Sequence, residues 1–92
     1  MKLEIAAKKF ILAQEYDHAE LKLEAMGDLV NVLEQGEEID KNLAATDPFA
    51  ALSLPVFQDL RAEVDEAEAN GTRNALMHRY EEDVKPYLRT QI

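Results

Sequence analysis

The stretch that decides the fold is "KLEIAAKKFILAQEYDHAELKLEAMGDLVNVLEQ", Lys2 to Gln35. It contains no proline and a single glycine, Gly27. Ile5, Leu12, Ala19, Met26 and Leu33 recur at intervals of seven. Lys9, Tyr16, Leu23 and Val30 recur at the same interval, each three residues before a member of the first set. Two interleaved sevens offset by three are the a/d pattern of a heptad, which lays one seam along an α-helix. The pattern predicts one long helix from about residue 2 to residue 35, with Lys9 the charged member of the seam. Gly27 inside it costs about 1 kcal/mol relative to alanine and suggests a close helix–helix approach. Leu3, Ala7 and Phe10, with Ile11 alongside, form a second apolar stripe next to the seam.

Working outward, "GEEIDKNLAATDP" reads two ways. Gly36 is a candidate C-cap. Alternatively the stripe Val32, Gly36, Ile39, Leu43 carries the helix on to about Ala45, with Glu37 and Lys41 as an i,i+4 pair, and continuation is preferred. Pro48 disfavours helical geometry at Asp47 and ends the element near Thr46. Residues 46–53 then read as a connector with a short helical turn. Ser53 is a candidate N-cap for a helix over about 54–69, whose apolar positions are Phe57, Leu60, Val64 and Ala67. Asn70-Gly71 stops it, and Thr72 caps a last helix over about 73–89. Met77, Tyr80, Val84 and Tyr87 form its stripe, and Pro86 kinks or ends it. No strand-period alternation, repeat or linker is present, so the chain reads as one all-α domain: a long N-terminal heptad helix with two or three shorter helices packed back on it.

Lengths then bear on assembly. A helix over 2–35 is about 50 Å long, whereas a compact globule of this size is roughly 32 Å across. The later helices, about 24 Å each, cover only part of it. The uncovered apolar surface predicts self-association as a homodimer or higher oligomer. A parallel pair sets Glu15 opposite the neighbour's Glu20, so antiparallel pairing is favoured.

Composition bounds the function. The chain has 92 residues, 47% hydrophobic and 32% charged, with a net charge of −9. That balance fits a folded helical domain rather than a disordered segment. The acidity lies in the middle: residues 23–47 hold seven acids and one lysine, and 48–70 hold five acids and one arginine. Nucleic acid and anionic membrane are therefore poor partners, and a basic protein surface is a plausible one. The chain has no cysteine, which removes disulfides, thiolate metal sites and cysteine nucleophiles. The N-terminus lacks the apolar core of a signal peptide, no apolar run reaches bilayer length, and a cytoplasmic location is expected.

Three groups of residues carry candidate chemistry. Glu15-x-x-His18 has the spacing that bundle metalloproteins use, but by heptad position neither residue points into the seam, and Ala75 stands where a second such motif would need its acid before His78. A solvated flank is the preferred reading, and no cofactor is expected. Arg73, Arg79, Tyr80 and Tyr87 are candidates for a small-anion or nucleotide pocket at an oligomer interface. Glu34, Glu37, Glu38, Asp40, Asp59, Glu63, Asp65, Glu66 and Glu68 are candidates for an acidic docking surface. His78 lacks an obvious nucleophile beside it, and there is no phosphate loop. The expectation is a non-enzymatic acidic interaction module, an inhibitor or adaptor, with a bundle metalloprotein or interfacial small-ligand binder as the alternative.

Overall fold

A computed structural model describes residues 3–35 and 55–91, with the side chains of 33–35 outside the description. The expected continuation to residue 45, the connector turn at 46–53, and the acids Glu37, Glu38 and Asp40 lie outside the described residues, as does the side chain of Glu34. Among the described residues four α-helices pack together: α1 (Leu3–Glu15), α2 (Ala19–Gln35), α3 (Pro55–Asn70) and α4 (Arg73–Val84). A 3₁₀ turn, Lys85–Tyr87, follows α4. Among the described residues there is no strand, and no helix is long and apolar enough to cross a membrane.

The expected 2–35 helix is in fact two helices folded into a hairpin. Tyr16, Asp17 and His18 break it. Asp17 adopts a left-handed conformation, φ 50°. The His18 N–H donates to the Ala13 carbonyl at 2.9 Å, and the Asp17 N–H reaches the Gln14 carbonyl at 3.4 Å. Those two bonds are the Schellman closure of a helix C-terminus. The next helix starts at once: Lys22 N–H donates to the His18 carbonyl at 3.0 Å, and Leu21 N–H donates to His18 Nδ1 at 3.1 Å. The imidazole thus caps α2 as a serine or aspartate would.

The α3–α4 joint repeats this geometry. Thr72 N–H donates to the Ala67 carbonyl at 2.8 Å and Gly71 N–H to the Glu68 carbonyl at 3.2 Å, with Gly71 at φ 74°. Glycine in that position is the usual stop signal. Aspartate tolerates the same region at some cost, so Tyr16-Asp17-His18 does what Asn70-Gly71-Thr72 does without announcing it. At the other end of α4, Pro86 stops the helix. The Lys85 N–H still bonds to the Glu81 carbonyl, then the chain tightens to 3₁₀ and is extended by Leu88.

α1 is the central helix, in contact with each of the other three. All eight positions from Ala6 to Ala13 are buried, which is what a helix surrounded on every side requires. Phe10 meets Phe57 of α3 edge to face, centroids 6.1 Å apart. Leu21, Ala25 and Leu29 of α2, Phe57, Leu60 and Ala67 of α3, and Leu76, Met77, Tyr80 and Val84 of α4 complete the core. Each large side chain here contributes about 1.5–3 kcal/mol on leaving water.

The heptad seam is therefore divided rather than continuous. Lys9 and Leu12 are fully buried, whereas Tyr16 is 43% and Leu23 70% exposed. Ala19 is exposed, and Ile5, Met26 and Val30 are half-buried. The break rotates α2 so that Leu21, Ala25 and Leu29 take the core positions. The second stripe of α1 is likewise absorbed within the chain: Ala7, Phe10 and Ile11 are buried and Leu3 half-buried. Because the N-terminal half doubles back, no helix of about 50 Å overhangs the described residues, and the longest extent is 39 Å.

Candidate functional site

Two features stand out, a buried cluster of charges and an exposed acidic helix. The cluster begins with Lys9, whose side chain is 0% exposed. Its ammonium donates to Asp28 Oδ2 at 2.7 Å and to the Tyr87 carbonyl at 2.7 Å, with Glu24 Oε1 at 3.7 Å. Arg89 closes the cluster from the solvent side. Its guanidinium donates to Asp28 Oδ1 and to Glu24 at 3.1 Å. The backbone N–H groups of Arg89 and Thr90 donate to the two Glu24 oxygens at 2.7 and 3.3 Å. Burial pushes the Glu24 carboxyl up, but the Arg89 hydrogen bonds and the Lys9 charge outweigh it and hold the carboxyl below its ordinary value.

The cluster ties α1, α2 and the C-terminal segment together, and every group in it has a partner. Its chemistry is structural: a cation forced into the core by the seam, neutralised by two acids on the facing helix. Lys8 has an outer version of the same arrangement. It donates to Asp83 at 2.8 Å and pairs with Glu4 at 3.1 Å, while its ammonium lies 5.3 Å from the centroid of the Tyr80 ring. The pattern signalled only that Lys9 interrupts an apolar seam. A buried cation demands an acid, and Asp28, one helical turn from Ala25 and beside Leu29, was the acid to look for.

The candidate metal pair is accounted for by the joint. Glu15 bonds to Arg73, and His18 Nδ1 is occupied by the Leu21 N–H. Among the described residues no three histidine, aspartate or glutamate side chains converge.

The four candidate pocket residues are dispersed rather than gathered. Arg73 bridges Glu15 and Glu68, the latter at 3.2 Å. Arg79 lines a separate shallow cleft with Glu63, Glu66 and Asn70. Tyr80 is buried and its hydroxyl donates to Glu63 at 2.9 Å, burial and that bond both raising its pKa. Tyr87 is half-exposed and offers its carbonyl, not its ring, to Lys9.

The acids of α3 spread over its surface around the inward stripe of Phe57, Leu60 and Ala67. Asp59, Glu63, Asp65, Glu66 and Glu68 are all exposed. Glu63 accepts from Tyr80 and Glu68 pairs with Arg73, whereas Asp59, Asp65 and Glu66 make no ion pair among the described residues. No family model matches the chain, and no match emerged with curated proteins or solved structures.

Proposed function

We propose that the chain is a non-enzymatic protein-interaction module whose acidic α3 face docks a basic surface of a partner protein, in the manner of an inhibitor or adaptor. The observation that carries this reading is the exposed acidity of α3, which presents five acids against Arg61 alone. Lys8, Lys9, Arg73 and Arg89 are committed to internal pairs with Glu4 and Glu15 of α1, Glu24 and Asp28 of α2, Glu68 of α3 and Asp83 of α4. Asp59, Asp65 and Glu66 are exposed and make no ion pair among the described residues. A face left negative in this way raises the local concentration of basic partners and accelerates encounter.

The test is affinity capture from native host cells with the wild type and with Asp59→Asn/Asp65→Asn/Glu66→Gln. A partner that binds the wild type, is lost from the triple variant, and weakens between about 50 and 500 mM salt supports the reading, because screening should loosen exposed charge contacts. Capture that is indifferent to both changes refutes it.

A further inference from the structure

α2 is apolar on two opposite sides. Leu21, Ala25 and Leu29 face the core, while Leu23 and Val30 lie about half a turn away at 100° per residue. Ala19 and Gly27 flank Leu23 at i−4 and i+4 and are exposed, and Leu23 itself is 70% exposed. A single exposed leucine is ordinary. Here it lies on α2 between exposed Ala19 and Gly27, with half-buried Val30 one turn further on, a run of apolar positions that another helix can read.

Gly27 supplies an independent observation. Among the described residues a Cβ added there would meet nothing within 4 Å, so their packing gives no reason for a helix-weakening residue in mid-helix. Beside Leu23, it leaves a notch into which a second helix backbone could settle. The surrounding charge selects the occupant. Asp17 and Glu20 border the N-terminal end of this face, are exposed, and have no ion pair among the described residues. Within α2, Glu24 and Asp28 are turned inward to Lys9 and Arg89, which leaves Asp17 and Glu20 as the acids beside this face, against Lys22. A second copy would bring another net charge of −9 against this face.

We infer that the outer face of α2 docks a cationic amphipathic helix: apolar residues at i, i+3/i+4 and i+7 seated around Leu23 and over Gly27, with lysine or arginine on its flanks. The inference rests on the acidic-module reading for the sign of the partner's charge, and it places the contact on α2 instead of α3.

The test titrates the full chain into a fluorescein-labelled synthetic helix of about 20 residues, with leucine at a and d and lysine elsewhere, in about 100 mM salt. A matched peptide with glutamate in place of lysine is the control. Saturable anisotropy change with the lysine peptide alone is expected. Leu23→Gln should weaken it roughly tenfold, and Gly27→Leu, which fills the notch, should weaken it by a similar factor. Both sites are exposed, so circular dichroism should show each variant folded. The Asp59→Asn/Asp65→Asn/Glu66→Gln variant should change affinity less than about threefold, through screening alone. Unchanged binding by Leu23→Gln overturns the inference. So does loss of binding in the α3 triple variant, which moves the peptide to α3 and leaves the proposed function standing. Leu23-dependent dimerisation in sedimentation velocity also overturns it, by making a second copy the occupant.

Discussion

Replacing Lys9 with methionine is the most demanding test of the fold. Methionine nearly matches the lysine stem in length and flexibility, so the apolar packing within α1 is largely kept and the ammonium alone is removed. That group is fully buried and donates at 2.7 Å to both Asp28 and the Tyr87 carbonyl. Breaking a buried ion pair costs about 3–5 kcal/mol, because the other charge stays behind. Arg89 still contacts Asp28 and Glu24, which puts the expected loss near the low end, about 3 kcal/mol. For a domain of this size that lowers Tm by roughly 12–24 °C. It would consume a large share of a total stability of about 5–15 kcal/mol. Urea unfolding followed by circular dichroism measures it, with an unchanged slope showing that the native state remains compact. Lys9→Met/Asp28→Leu should regain part of the loss, since the carboxylate nearest the lost ammonium is removed with it while Glu24 keeps Arg89. A loss below about 1 kcal/mol for Lys9→Met, or a double variant less stable than the single, would refute the buried-pair account.

Three further outcomes follow from the joints and the cluster. Asp17→Gly should stabilise the chain by about 0.5–1 kcal/mol in thermal unfolding, because glycine adopts φ 50° without the Cβ clash; a drop in Tm would mean that the turn depends on the aspartate side chain. His18→Ala should cost about 1 kcal/mol while His18→Asn costs much less, since asparagine can also accept the Leu21 N–H; equal losses would show that the imidazole does not cap α2. The folded Glu24 carboxyl titrates below its ordinary value of 4.5, so its contribution is complete above that pH and is lost as pH falls through the lower folded value. Glu24→Gln should accordingly flatten the acid limb of urea midpoints below about pH 4.5, and an unaltered limb would assign acid sensitivity to other carboxylates.

The amino-acid sequence determined the helical class, the α3–α4 hairpin and the end of α4 through local chemistry. Asn70-Gly71-Thr72 marks its joint because glycine alone enters the left-handed region at no cost. Pro86 ends α4 because it cannot donate to the preceding turn. The acids of α3 were legible as an exposed set because Phe57, Leu60 and Ala67 fix which side of that helix faces inward. The tertiary structure decided what local rules left balanced. From 2 to 35 every residue is compatible with continuous helix, and the heptad even favours it. Bending at Asp17 sacrifices a few helical hydrogen bonds and a little backbone energy, yet it brings Leu21, Ala25 and Leu29 onto α1 and sets Asp28 against Lys9. Those gains come from contacts between residues far apart in the chain, and periodicity does not record them. They turned Glu15-x-x-His18 from a flank into a joint, turned Lys9 from a seam interruption into the centre of a buried cluster, and left Leu23 facing outward.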